Sequence, residues 1–68
     1  MSKYEPLWIY IKDNNMSEYK LSYDEIKDIL GFNIEHSFLK YKKELLEYGY
    51  KVSKISLKDK FVLINKIN

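Results

Sequence analysis

The stretch HSFLKYKKELLEYGYKV, residues 36 to 52, concentrates the side chains of this chain that could do chemistry. His36 and Ser37 are the residue types of a nucleophile and its base. They are adjacent, however, and neighbouring side chains at a helix start point about 100° apart, which suits a Ser-His pair poorly. His36 therefore reads as a solvated or cap-region histidine. A second chemistry fits better. Ser37, Lys40, Tyr41, Lys43 and Glu44 lie in the N-terminal half of one helical stretch, the part of a recognition helix that enters the major groove of duplex DNA. Downstream, Lys54, Lys58 and Lys60 are spaced along a hairpin where they would touch phosphates. Tyr41 falls at the edge of the apolar face and reads as packing.

Other chemistries lack their residues. The chain has no cysteine, so neither a disulfide nor a zinc-thiolate site is expected. Two glycines cannot build a phosphate-cradling loop, and no ligand set has metal spacing. Asp24, Glu25 and Asp28 cluster on the first turn of a helix, where capping and the helix dipole account for them. The expectation is a non-enzymatic protein with no cofactor and no metal. All 12 basic residues are lysine. Without arginine, the commonest bidentate reader of guanine is missing.

Charge is unevenly placed. Residues 1 to 35 carry four lysines against seven acids, a net of −3, and residues 36 to 68 carry eight lysines against three acids, a net of +5. A chain so divided can lay its basic half on a polyanion with its acidic half facing away. The longest apolar run, LWIYI at 7 to 11, has five residues, so no membrane span or leader is expected and the default location is cytoplasmic.

At 68 residues the chain is expected to be a single domain, 1 to 68, with marginal burial helped by seven tyrosines, three phenylalanines and one tryptophan. Pro6 and the Asp13-Asn14-Asn15 cluster bracket a helix over about Pro6 to Lys12. Tyr19 to Leu21 is a strand too short to stand alone. In SYDEIKDILG, Ser22 and Glu25 form a capping box, Ile26, Ile29 and Leu30 share a face, and Gly31 stops the helix. After a tight connection at 32 to 36, the stretch from Ser37 reads as a continuous amphipathic helix. Placed at 100° per residue, Phe38, Leu39, Tyr41, Leu45, Leu46 and Tyr48 fill one half, with Lys42 inside that arc. Lys40, Lys43, Glu44 and Glu47 fall opposite, with i, i+4 spacing that allows Lys40–Glu44 and Lys43–Glu47 pairs. YKVSKISL is a strand whose apolar residues change face between Val52 and Ile55, which predicts a bulge. After a turn around Asp59, FVLINKIN alternates, with Phe61, Leu63 and Ile67 on one face and Val62, Ile64 and Lys66 on the other.

Helix, short strand, helix, tight turn, helix and two-stranded hairpin is the layout of a small α+β winged helix-turn-helix, with the short strand pairing to the hairpin. The expected core is Leu7, Trp8, Ile11, Leu21, Ile26, Ile29, Leu30, Phe38, Tyr41, Leu45, Val52, Ile55 and Leu63.

The segments KYEPLWIYI, LSYDEIKDILGF, SFLKYKKELL and YGYKVSKISL resemble a family of small, functionally uncharacterised bacterial and phage domains. Those begin K-Y-[DE]-P-L-W and continue with a polar loop, a [ST]-F-x-E-I-E-x-I-L-G helix, an S-A-R-containing helix and an A-G-W-x-V strand entry. The resemblance spans nearly the whole chain, through packing and capping residues, and so implies a fold rather than an activity. Phe38 and Leu39 stand where the family has Ala-Arg after Ser37, and Tyr50 replaces the tryptophan before Val52. The missing arginine weakens any nucleic-acid contact carried over from the family.

Two functional expectations follow. The first is a DNA-binding regulator of bacterial or phage type that uses the third helix and the lysine-rich hairpin, with a homodimer or tethering needed for useful affinity. The second is a protein-interaction module, such as a phage-type inhibitor occupying a host nucleic-acid-binding protein or defence complex. The tyrosines favour this, because Tyr4, Tyr10, Tyr19, Tyr23 and Tyr50 are not expected all to be buried and tyrosine is enriched at interfaces. The acidic first half would suit a basic target.

Overall fold

The computed structural model describes residues 2–67. Helix α1 (Glu5–Asn14) carries Pro6 in its first turn, where a missing N–H costs nothing, and ends at Asn15 in the left-handed region (φ 49). Strand β1 (Glu18–Ser22) leads directly into α2 (Tyr23–Leu30). The capping box forms as expected: the Glu25 N–H donates to Ser22 Oγ at 3.1 Å and the Ser22 N–H donates to Glu25 Oε1 at 2.9 Å. Gly31 closes the helix at φ 86, a conformation open to a residue without Cβ.

Helix α3 is only Ser37–Tyr41, and the chain then tightens into a 3-10 helix over Lys42–Tyr48, ended by Gly49 at φ 85. The expected continuous α-helix is thus corrected. Three residues per turn bring side chains at i and i+3 into line instead of those at i+4. That rotation puts Leu46 in solvent with Leu39, breaks the expected Lys40–Glu44 and Lys43–Glu47 spacing, and turns Glu44 inward. The ion pair present among the described residues is Lys3–Glu35, at 2.9 Å.

Strands β2 (Tyr50–Ser56) and β3 (Phe61–Lys66) form the hairpin, and β1 pairs antiparallel with β3, so the sheet has three strands in the order β1-β3-β2. The register shifts between Val52 and Lys54, confirming the bulge. Strand β3 is therefore central. Its buried face is Val62 and Ile64, not Leu63 as expected. FVLI is apolar on both faces, so alternation predicts two faces without saying which turns inward.

The core holds Tyr4, Leu7, Trp8, Ile11, Tyr19, Leu21, Ile26, Phe38, Leu45, Tyr50, Val62 and Ile64. Ile29, Leu30, Tyr41, Val52 and Ile55, expected inside, are partly buried and pack against it. Of the five tyrosines not expected all to be buried, Tyr4, Tyr19 and Tyr50 are core residues. Tyr4 has the rings of Trp8, Phe32, Phe38 and Tyr41 around it at centroid distances of 6.0, 5.8, 5.4 and 6.2 Å. Tyr19 donates to the Ile11 carbonyl at 2.6 Å and accepts from the Met16 N–H at 3.1 Å, while Tyr50 donates to the Met16 carbonyl at 2.8 Å. Tyr19 and Tyr50 bury their rings while their hydroxyls meet backbone groups at the end of α1 and in the loop after it. Tyr23 is partly buried and Tyr10 is exposed. Among the described residues no buried side-chain polar atom lacks a partner, and no helix is long and apolar enough to cross a membrane.

Candidate nucleic-acid interface

The seven residues expected to form a DNA-contacting set divide into two groups. Lys40, Lys43, Lys54, Lys58 and Lys60 are exposed, and none of them forms an ion pair within the described residues. Ser37 and Glu44 are partly buried and already engaged. The Ser37 hydroxyl is 2.7 Å from the Tyr4 hydroxyl. Glu44 accepts from the Ser2 hydroxyl at 2.5 Å and from the Trp8 indole N–H at 3.0 Å. Those two donors, the Ser2 hydroxyl first, hold the Glu44 carboxyl below the usual carboxylate range. Ser37 and Glu44 thus brace the third helical region against the N-terminal segment.

The lysines sit on two elements that meet. Leu39 of α3 and Ile55 and Leu57 of the hairpin line one open groove of about 340 Å³, together with Tyr23, Ile34, Glu35, His36 and Phe38. Leu39 is 55% exposed and Leu57 is 79% exposed. Lys40 and Lys58 follow these two leucines in sequence, and neither lysine lines the groove. The Lys40 ammonium lies 5.4 Å from the Tyr41 ring centroid. His36 lines the groove beside Ser37, whose hydroxyl is taken up by Tyr4.

The hairpin tip is fixed by its neighbours. Lys60 adopts φ 57, and its carbonyl accepts from the Tyr23 N–H at 3.0 Å, tying the turn to the start of α2. The Asp59 N–H donates to Ser56 Oγ at 3.0 Å within the turn. Lys54 owes its position to the bulge. The extra residue lets Val52 and Ile55 both face inward while Lys54 pairs with Leu63 on the outer face.

Sequence reasoning missed Lys20, Lys51 and Phe61, which share that outer face. The register places Lys20 and Lys54 on either side of Leu63, Ser22 and Ser56 on either side of Phe61, and Glu18 and Lys51 on either side of Asn65. The ammonium groups of Lys20 and Lys54 lie 4.7 and 5.9 Å from the Phe61 ring centroid. The signal was the period-2 position of Lys20 between Tyr19 and Leu21, legible only once those two are known to be core. No family model, curated protein or solved structure matches the chain.

Proposed function

We propose that this chain is a non-enzymatic DNA-binding module of winged helix-turn-helix type, acting as a regulator, in which α3 and the 3-10 turn after it approach duplex DNA and the β2–β3 hairpin serves as the wing. Its likeness to small bacterial and phage domains belongs to the same proposal. One observation carries the reading: five exposed lysines, Lys40 and Lys43 on the third helical region and Lys54, Lys58 and Lys60 on the hairpin, have no carboxylate paired to them among the described residues. Unpaired cations so placed hold counterions that a phosphate backbone would replace. Ser37 and Glu44 act in this reading as braces that hold α3 at its angle.

The test is fluorescence anisotropy with a mixed-sequence duplex over a series of salt concentrations. The logarithm of the affinity is expected to fall linearly with log salt, and Lys40→Ala/Lys43→Ala and Lys54→Ala/Lys58→Ala are each expected to flatten that slope by about two phosphates. Absence of binding at low salt sinks the proposal.

The groove between α3 and the hairpin favours a second reading, a protein-interaction module. Leu39 and Leu57 are unusually exposed for a surface meant to meet only phosphates and base edges, and a pair of leucines rimming a groove suits an apolar side chain of a protein partner.

A further inference from the structure

The helices pack on one face of the three-stranded sheet through Val62, Ile64, Tyr19, Leu21 and Tyr50, leaving the opposite face to solvent. We propose that this outer face is a binding platform for single-stranded nucleic acid, with Phe61 as the stacking ring and Lys20, Lys51 and Lys54 as the phosphate contacts.

The chemistry of the face is that of single-strand binders, which combine a positive surface tracking the backbone with aromatic rings under the bases. Phe61 and Leu63 form an apolar spine along the central strand, both partly exposed. Lys20 comes to it from β1, and Lys51 and Lys54 come from β2, so the cations flank the spine on both sides. Against these three lysines the register sets one acid, Glu18, at the far end beside Asn65. Glu25 and Asp59 border the other end, at a recess next to Phe61 that Lys20 and Lys60 also line. These carboxylates turn a phosphate chain away from the ends and along the lysines between them.

Two ammonium groups already rest over the Phe61 ring, at 4.7 and 5.9 Å. Both are exposed, and an exposed cation–ring contact is weaker than the stacking of a base on the same ring. An arriving base therefore displaces one ammonium, which is left within reach of the flanking phosphate. The bulge makes this arrangement: without it Lys54 would point inward and Ile55 outward. A base paired and stacked inside a duplex offers no free face to the Phe61 ring, whereas an unpaired base does. That selects a single strand. The surface is distinct from the α3 side except for Lys54, so either proposal can fail without the other.

The test runs a fluorescein-labelled oligothymidylate of about 20 nucleotides beside a mixed-sequence duplex of similar length, enough to span the site of a small single-strand module. Expected is salt-dependent oligothymidylate binding that weakens by at least about tenfold in Lys20→Glu/Lys51→Glu, is spared by Lys40→Ala/Lys43→Ala, and weakens by about tenfold in Phe61→Thr. Amide shift perturbations on the unmodified protein, which do not depend on any variant folding, are expected at residues 18–22, 51–56 and 61–65. The proposal is overturned by no oligothymidylate binding at low salt, by shifts confined to α3, or by binding indifferent to Lys20→Glu/Lys51→Glu. It is equally overturned if polyglutamate competes as well as oligothymidylate and Phe61→Thr changes nothing, because the face then only adsorbs polyanions.

Discussion

On one side of the sheet Val62 and Ile64 are fully buried against tyrosines whose hydroxyls reach the backbone after α1; on the other side Phe61 and Leu63, their immediate neighbours in the chain, lie under lysine side chains in solvent. On the inner face and its N-terminal brace, no buried side-chain polar atom among the described residues lacks a partner. On the outer face Lys20, Lys51 and Lys54 have no carboxylate paired to them among the described residues. Burial and the proposed binding thus fall on different residues of the same strands. A domain of this size has few contacts to spare, and separating the two keeps lysine desolvation out of the folding balance.

The largest effect expected to break this contrast is at Trp8. It is 1% exposed, packs on Tyr4 and Phe38, and donates to Glu44. Trp8→Ala is expected to cost about 3–5 kcal/mol, comparable to the whole stability of a small domain, and to leave the chain largely unfolded by circular dichroism. A cooperative melt close to that of the unmodified chain would show that the brace is not what organises the inner face.

A smaller effect is expected at Glu44. Because its carboxyl is held below the ordinary range by the Ser2 and Trp8 donors, it binds a proton more readily in the unfolded chain than in the folded one. Its contribution is therefore present above the unfolded carboxylate range and is lost as pH falls through the folded value. Denaturation curves from pH 7 down to pH 2 are expected to show less acid sensitivity in Glu44→Gln than in the unmodified chain. Equal sensitivity would detach Glu44 from the brace.

The smallest effect is expected from exposed lysines of the outer face and the hairpin turn. Lys51→Gln/Lys58→Gln is expected to change stability by no more than about 0.5 kcal/mol, because exposed cations without partners contribute little to folding. A loss of more than about 1 kcal/mol by urea denaturation would mean that the lysines support the sheet and would erase the division between the two faces.

Much of this division can be traced to local sequence, and its failures are specific. Ser22 and Glu25 announced α2 because a capping box is satisfied within four residues. The bulge was legible because Val52 and Ile55 cannot both face a core at regular alternation. The 3-10 segment was not. Leu45 is buried and Leu46 exposed, yet an apolar wheel at 100° per residue accepts both. Glu44, next to Leu45, is held by Ser2 and Trp8, donors more than thirty residues away that no local period can show. The candidate site divided along the same line. The lysines were identified as exposed from their charge alone, whereas Ser37 and Glu44 looked like contacts until their partners from the N-terminal segment were in place.

By itself the sequence determined the order of helices and strands, the capping of α2, the bulge in β2 and the basic character of the C-terminal half, because each depends on neighbours a few residues apart. Tertiary structure alone decided which face of FVLI turns inward, that Tyr4, Tyr19 and Tyr50 are core, and that Lys20, Lys51 and Lys54 gather around one exposed spine. Those outcomes depend on pairing β1 with β3 and on where α1 lays its aromatic rings, and distant segments meet only when the chain closes on itself.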